Sequence, residues 1–271
     1  MEKEKRMRAN RLRTIWQSGG AVVNGWLSIG NSFAAEVMAH AGWDSLTIDL
    51  QHGPLDYQSA LPMLQAISTT ETVPFARVPW NEPGAIMRML DSGCYGIICP
   101  MINTRAQAEA FVGACRYAPD GFRSFGPTRA VLYAGSDYGQ HANSEVVTMA
   151  MIETAEAFAN LDEILSTPGL DALYVGPSDL ALSMVGKPQM DHTEAPMYAA
   201  VMTIRDAARR HGIVAGIHCG SATYAARMIS EGFQFVTIAS DSRLLAVASE
   251  QAIATARGGM STNKPSGTGP Y

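Results

Sequence analysis

Lysine is almost missing from this chain: only Lys3, Lys5, Lys187 and Lys264 occur, and none falls in a segment that reads as a strand. Schiff-base chemistry needs an amine held inside or at the mouth of a packed scaffold, so composition argues against that route. Cysteine is scarce too. Cys94, Cys99, Cys115 and Cys219 lack CxxC spacing and the density of a secreted scaffold, which leaves reduced, mostly buried thiols as the expectation. A net charge of −5 without a basic stripe argues against a nucleic-acid partner. No apolar run approaches the roughly 20 residues of a membrane span. Residues 1–17 carry Arg6, Arg8, Arg11 and Arg13 but no apolar core or small-residue cleavage site, and Glu2 and Glu4 count against a transit peptide. A solvated helix lying over the rest of the protein, and a cytoplasmic location, are the expectations. No GxGxxG or GxxxxGK[ST] follows any apolar segment, which removes the usual phosphate-loop argument for an open doubly wound sheet.

What is present is core-forming material. Hydrophobic residues make up 47% of the 271 positions and charged residues 17%, enough for one large core. Short apolar, β-branched runs alternate with stretches of helical period, the pattern of βα units around a parallel sheet. Strands are expected at 21–28, 45–50, 73–78, 95–100, 147–152, 171–176, 213–219 and 234–239. Stretches such as 83–92, 104–117 and 155–166 carry apolar residues three and four apart and read as helices. Eight strands with intervening helices predict a closed (β/α)₈ TIM barrel over residues 1–257 as one domain. One long break, 118–143, is rich in Gly, Ser, Tyr and Arg and reads as a lid, an interface or disorder. The end, 258–271, has the Gly/Ser/Thr/Pro composition of a flexible tail.

Barrel enzymes place their chemistry where the strands end and the βα loops begin. The second predicted strand ends in Ile48-Asp49-Leu50-Gln51-His52-Gly53, and the third contains Arg77. The fifth ends in Ile152-Glu153-Thr154 and the sixth in Gly176-Pro177-Ser178-Asp179. Each residue alone has an ordinary explanation: Asp49 could cap a loop, Glu153 and Asp179 could sit in a helix's first turn, and Arg77 could answer a neighbouring acid. Together on one rim, Asp49, His52, Arg77, Glu153 and Asp179 favour a site.

Two carboxylates, Glu153 and Asp179, suit an octahedral Mg²⁺ or Mn²⁺ ion that prefers oxygen ligands and keeps open positions. A 2-oxoacid fits two of those positions through its ketone and carboxylate oxygens, and such an ion stabilises the enolate formed when a neighbouring C–C bond breaks. Arg77 adds positive charge at the developing oxyanion, and His52 can move the proton of a substrate hydroxyl. The Gly176–Asp179 turn opens a helix whose backbone N–H groups suit a carboxylate.

These motifs together make the sequence resemble the HpcH/HpaI family of class II pyruvate aldolases, closest to the hydroxy-ketoacid branch. The carriers are Ile48 to Pro54, Arg77 with Trp80-Asn81-Glu82-Pro83, Leu90-Asp91-Ser92-Gly93, Gly121 to Gly126, Ile152-Glu153-Thr154 and Val175 to Leu180. The resemblance implies a carbon–carbon lyase that cleaves 4-hydroxy-2-oxoacids to pyruvate or hydroxypyruvate and an aldehyde, using Mg²⁺ or Mn²⁺, with Co²⁺ or Zn²⁺ as other candidates. It makes Glu153 and Asp179 the metal ligands, Arg77 the arginine on the pyruvate oxygens and His52 the catalytic histidine. It further implies that Asp91 pairs with His52, that the backbone of Ser178 and Asp179 holds the substrate carboxylate, and that the protein is a homo-hexamer whose neighbours help to close each site. Asp49 and Gln51 stand behind these groups.

Two positions depart from many members: Gln51 replaces a glutamate before the histidine, and Met151 replaces a glutamine two residues before Glu153. Gln51, His218, Cys219, Phe125 and Tyr133 are candidates for tuning the aldehyde pocket, with a packed structural role equally open for His218. Arg123 and Arg129 could reach substrate or a neighbouring subunit, or simply be solvated. An oxaloacetate decarboxylase or macrophomate-synthase-like lyase would share the same enolate, and a non-catalytic 2-oxoacid-binding barrel is the remaining alternative.

Overall fold

The computed structural model describes residues 7–258. Eight parallel strands close into a barrel in chain order, with the last pairing back onto the first. They are β1 Val22–Leu27, β2 Ser45–Asp49, β3 Val73–Arg77, β4 Gly96–Cys99, β5 Val147–Ile152, β6 Ala172–Val175, β7 Val214–Cys219 and β8 Phe235–Ile238. All eight expected strands are present, β5 with the expected bounds and the other seven trimmed by one residue at one or both ends. The expected tail 258–271 falls, apart from Gly258, outside the described residues.

Strand periodicity divides the core in two. Alternate residues such as Leu46, Ile48, Ala76, Ile97, Leu173 and Ile217 point outward and bury against the surrounding helices. The intervening residues, Val22, Trp26, Phe75, Ile98, Met149, Met151, Tyr174 and Phe235 among them, fill the barrel interior. Both faces of every strand are therefore covered, which is why the strands read as apolar runs rather than as clean alternation. At Gly96 an added Cβ would lie 2.1 Å from the Phe75 ring, so the glycine makes room for an interior aromatic.

The N-terminal helix Arg11–Gln17 is capped by the Asn10 side chain and buries Leu12 fully. It is thus amphipathic and closes the end where the strands begin, rather than lying solvated over the barrel. The 118–143 stretch is not structureless. It contains the helix Thr128–Ala134 and most of a second, Tyr138–Glu145, both packed near the strand starts through Ala130, Tyr138 and Ala142. The last helix, Asp241–Ala256, buries only Asp241, whose carboxylate accepts from the Ser28 and Ile29 amides beyond β1. No helix among the described residues is long and apolar enough to cross a membrane.

Candidate active site

Counting inward positions in twos places the polar residues. Behind Ser45 and Thr47 the next interior position of β2 is Asp49; behind Phe75 on β3 it is Arg77; behind Met149 and Met151 on β5 it is Glu153. Asp49 and Arg77 are register partners across β2 and β3. Arg77 donates from Nε to Asp49 Oδ1 at 2.8 Å and from Nη2 to Oδ2 at 2.7 Å, a buried two-pronged pair. Its guanidinium lies 4.8 Å from the Trp26 ring centre, and Trp26 Nε1 donates to Asp49 Oδ2 at 3.2 Å. Burial opposes the charge on Asp49, but Arg77 and the Trp26 N–H outweigh it and hold the carboxyl below the usual carboxylate range.

Glu153 lives under the opposite conditions. It is 2% exposed and accepts a hydrogen bond at 2.7 Å from the Met101 amide, which a left-handed φ of 56° turns toward it. Burial, joined by the charge of Asp179, pushes its carboxyl up to about 7 against the pull of Met101 and Arg77. Gly176 leaves room for this acid, since a Cβ there would sit 2.5 Å from Glu153 Oε2. The helix Pro177–Val185 starts at Gly176 without a side-chain cap, so its first amides and positive dipole end remain at the same place.

Arg77, Glu153, Ser178, Asp179, Tyr174 and His218 line one small cavity of about 20 Å³, with Met151 and Met190 as its apolar wall. A buried acid with a single N–H partner, facing a second carboxylate, suits a hard divalent cation. No group of three or more His, Cys, Asp and Glu side chains is arranged to hold a metal among the described residues. The two carboxylates in the cavity wall would suit an ion that shares its shell with substrate and water rather than a closed structural site.

The other sequence-derived candidates are placed less uniformly. His52 is exposed on the turn after β2, its amide 3.4 Å from Asp49 Oδ1, and it does not line the cavity. Gln51 donates its amide to Asp49 Oδ1 at 3.1 Å, while its side-chain Oε1 is buried without a hydrogen-bond partner. Asp91 does not join His52 within one chain. It ends the helix Pro83–Asp91, which brings it to the side where strands begin, and Arg123 donates to its carboxylate at 2.6 Å. Arg123 is itself held by the Tyr138 hydroxyl and the Tyr117 ring, and Arg129 by the Ser92 and Leu64 carbonyls, so both arginines are structural within the chain. Tyr133 packs on Tyr95 and Phe125 on Tyr117, away from the cavity. Cys219 points outward into the core, and His218 faces in.

Sequence reasoning missed Trp26, Tyr174, Met101 and Met190. Period-two counting along β1 and β6 would have found the two aromatics. The Met101 amide and Met190 left no signal, because a backbone turn and a loop return bring them in.

His218 completes the inward set. Burial and then the Arg77 charge push its pKa down to about 3, so the ring is neutral at ordinary pH.

Comparison with known proteins identifies the family. Residues 24–248 match the family model described as HpcH/HpaI aldolase/citrate lyase. A hydroxypyruvate/pyruvate aldolase from Rhizorhabdus wittichii is 45% identical, covering 92% of this chain and 99% of its own length. A 4-hydroxy-2-oxo-heptane-1,7-dioate aldolase from Shigella sonnei is 35% identical, covering 89% of this chain and 92% of its own. The crystal structure of an HpcH/HpaI aldolase/citrate lyase family protein from Burkholderia cenocepacia superposes with a TM-score of 0.85 at 32% identity, over 92% of this chain and 99% of that one. The eight-stranded barrel described here accordingly belongs to the HpcH/HpaI aldolase/citrate lyase family.

Proposed function

We propose that this chain is a divalent-metal-dependent aldolase that reversibly cleaves 4-hydroxy-2-oxoacids into pyruvate or hydroxypyruvate and an aldehyde. The observation that carries this reading is Glu153: a buried acid pushed up to about 7 beside Asp179, in a cavity shared with Arg77. The names of the relatives from R. wittichii and S. sonnei support the substrate class.

Glu153 and Asp179 would hold the ion, which when bound supplies Lewis-acid stabilisation of negative charge on the 2-oxoacid. The helix start at Ser178 and Asp179 orients the substrate carboxylate through backbone N–H groups. Arg77, locked by Asp49 and seated on Trp26, presents fixed positive charge toward the ketone oxygen as electrons move onto it. His52, exposed on the turn after β2, takes the proton of the C4 hydroxyl as the C3–C4 bond breaks. The bond's electron pair moves toward the ketone, and C3 regains a proton when the 2-oxoacid leaves. Met151 and Met190 keep the cavity's apolar side dry.

A homo-oligomer, a hexamer by family resemblance, is part of the same reading. Exposed Phe122, Phe125 and Leu132 around the 118–143 stretch support a subunit boundary there. A role for Asp91 beside His52 then belongs to a neighbouring copy. Light scattering that returns a monomer at micromolar concentration would overturn this part.

The reaction is tested by removing all metal and screening pyruvate and hydroxypyruvate against a panel of aldehydes. Turnover is expected to vanish on chelation and to return with Mg²⁺, Mn²⁺, Co²⁺ or Zn²⁺. Borohydride trapping of a pyruvate adduct on the chain would sink the metal mechanism. Oxaloacetate decarboxylation without any aldol activity would favour the related lyase instead.

A further inference from the structure

His218 is the inward group for which the proposed reaction has no use. It is the last interior residue of β7 and stands half-buried in the cavity wall with Arg77, Glu153 and Ser178. A polar chain through the barrel interior fixes it. Ser45 and Thr47 donate to Asn24 Oδ1 at 2.7 and 3.1 Å, which turns the Asn24 amide so that Nδ2 donates to Thr237 Oγ1 at 2.9 Å. Tyr174 donates its hydroxyl to the same Thr237 oxygen at 2.8 Å.

A phenol has one hydrogen, and Tyr174 has given it to Thr237. With that hydrogen on Thr237, the 2.9 Å contact between the Tyr174 oxygen and His218 Nδ1 runs from an Nδ1–H donor to the phenol oxygen; the reverse order, Thr237 donating to Tyr174 and Tyr174 to Nδ1, would put the imidazole hydrogen on Nε2 instead. A neutral imidazole protonated on Nδ1 carries its lone pair on Nε2. The Trp26 ring, perpendicular at 87° and 5.0 Å away, fixes the plane of the imidazole. Buried side-chain polar atoms are mostly hydrogen-bonded, so an imidazole nitrogen left without a partner at a cavity wall is available to a ligand. Nε2 makes no hydrogen bond to any described residue, and His218, partly buried, lines the cavity.

We infer that His218 determines specificity for the 2-oxoacid, its Nε2 accepting a hydrogen bond from a hydroxyl on C3. The inference rests on the aldolase reading above. The carboxylate of the 2-oxoacid goes to the helix start and its ketone oxygen to Arg77, so C3 is the part left for the remaining wall of this small cavity. His52, which serves the aldehyde half, is not in that wall. An acceptor at this point favours a C3 hydroxyl, is indifferent to a methyl group, and repels a C3 carboxylate. A C3 ammonium is disfavoured by the adjacent Arg77. The substrate order is thus hydroxypyruvate over pyruvate over oxaloacetate.

Two measurements on the full-length protein test this. Nitrogen-15 histidine spectra of the metal-free protein, with His218 assigned by its loss in His218→Gln, should show the Nδ1–H tautomer; an Nε2–H signal overturns the inference. The kcat/KM ratio of hydroxypyruvate to pyruvate with one common aldehyde should fall roughly three- to tenfold in His218→Phe, the range for one neutral hydrogen bond. His218→Gln, which can set an amide oxygen where Nε2 stood, should recover most of the ratio. Tyr174→Phe should lower it by less and mix the tautomers. Equal losses for both 2-oxoacids in His218→Phe overturn the assignment. A wild-type protein that turns over neither 2-oxoacid overturns the aldolase reading itself, and the spectra still report the tautomer separately.

Discussion

The two ends of the barrel use the same residue types and leave them in opposite states. Where the strands begin, Asp171 receives Arg13 at 2.9 Å on one oxygen, and Arg116 at 2.8 Å and the Thr148 amide at 2.9 Å on the other. Arg116 also donates to the Val146 and Gly169 carbonyls and to the Thr148 hydroxyl. Where the strands end, Glu153 has one amide and faces another acid. Cavity size does not tell the two apart: the space beside Asp171 is about 520 Å³, against about 20 Å³ beside Glu153. The state of the charges does. Matched charges hold a fold together, whereas a buried acid kept near neutrality by its surroundings is poised for a ligand.

The sharpest break of this comparison comes at the two acids. Glu153→Ala and Asp179→Ala are each expected to abolish divalent-metal binding, measured by calorimetry, and turnover with it, while far-UV circular dichroism stays that of a folded barrel. A variant that keeps full metal affinity would make its residue a helix-start acid like any other. Next in size is Arg77→Ala. Loss of a fixed oxyanion donor should cost a hundredfold or more in both aldol cleavage and deuterium exchange at the pyruvate methyl. His52→Ala should lose about a hundredfold or more in cleavage while pyruvate affinity and metal affinity survive. Loss of pyruvate binding in that variant, with normal cleavage at saturating substrate, would move the base elsewhere.

Asp171→Asn probes the satisfied end. It leaves Arg116 buried without its anion and should destabilise the protein by about 2–4 kcal/mol, read from denaturant midpoints. The kcat per folded molecule should stay within a few-fold. A large fall in kcat at unchanged stability would mean that the strand-start end takes part in the chemistry after all.

Much of this was legible in the sequence for a plain reason. Strands buried on both faces leave unbroken apolar runs, and a charged residue terminating such a run must be either paired or functional. Asp49, Arg77, Glu153 and Asp179 stood out on that ground. What the sequence hides is which alternative holds at each. Asp49 and Arg77 answer each other across a register that only pairing reveals, so one of the three expected rim acids proves to be a support for the arginine. Asp91 and Arg123 meet from segments 32 residues apart, and no periodicity links them. The 118–143 stretch looked like a loop because its helices are short and the stretch as a whole is rich in Gly, Ser, Tyr and Arg, yet Ala130 and Tyr138 anchor them to the barrel's lower core.

The smallest expected effect tests the comparison in the metal-free protein alone. The Glu153 carboxyl has an ordinary value of 4.5 and is pushed up to about 7 in the fold, first by burial. A carboxyl whose folded value is raised holds its proton more tightly in the native state than in the unfolded chain. Between pH 4.5 and about 7 the native protein therefore binds more protons than the unfolded one, and stability falls as pH rises across that window. The full loss attributable to this one group is about 3 kcal/mol. Denaturant unfolding of the chelated protein at several pH values between 4.5 and 7.5, side by side with Glu153→Gln, isolates the contribution. The wild-type curve should descend relative to the variant, and saturating Mg²⁺ should remove or reverse the descent by favouring the ionised acid. Parallel curves for wild type and Glu153→Gln would mean that the carboxyl is as well satisfied as Asp171, and the contrast between the two ends of the barrel would fail.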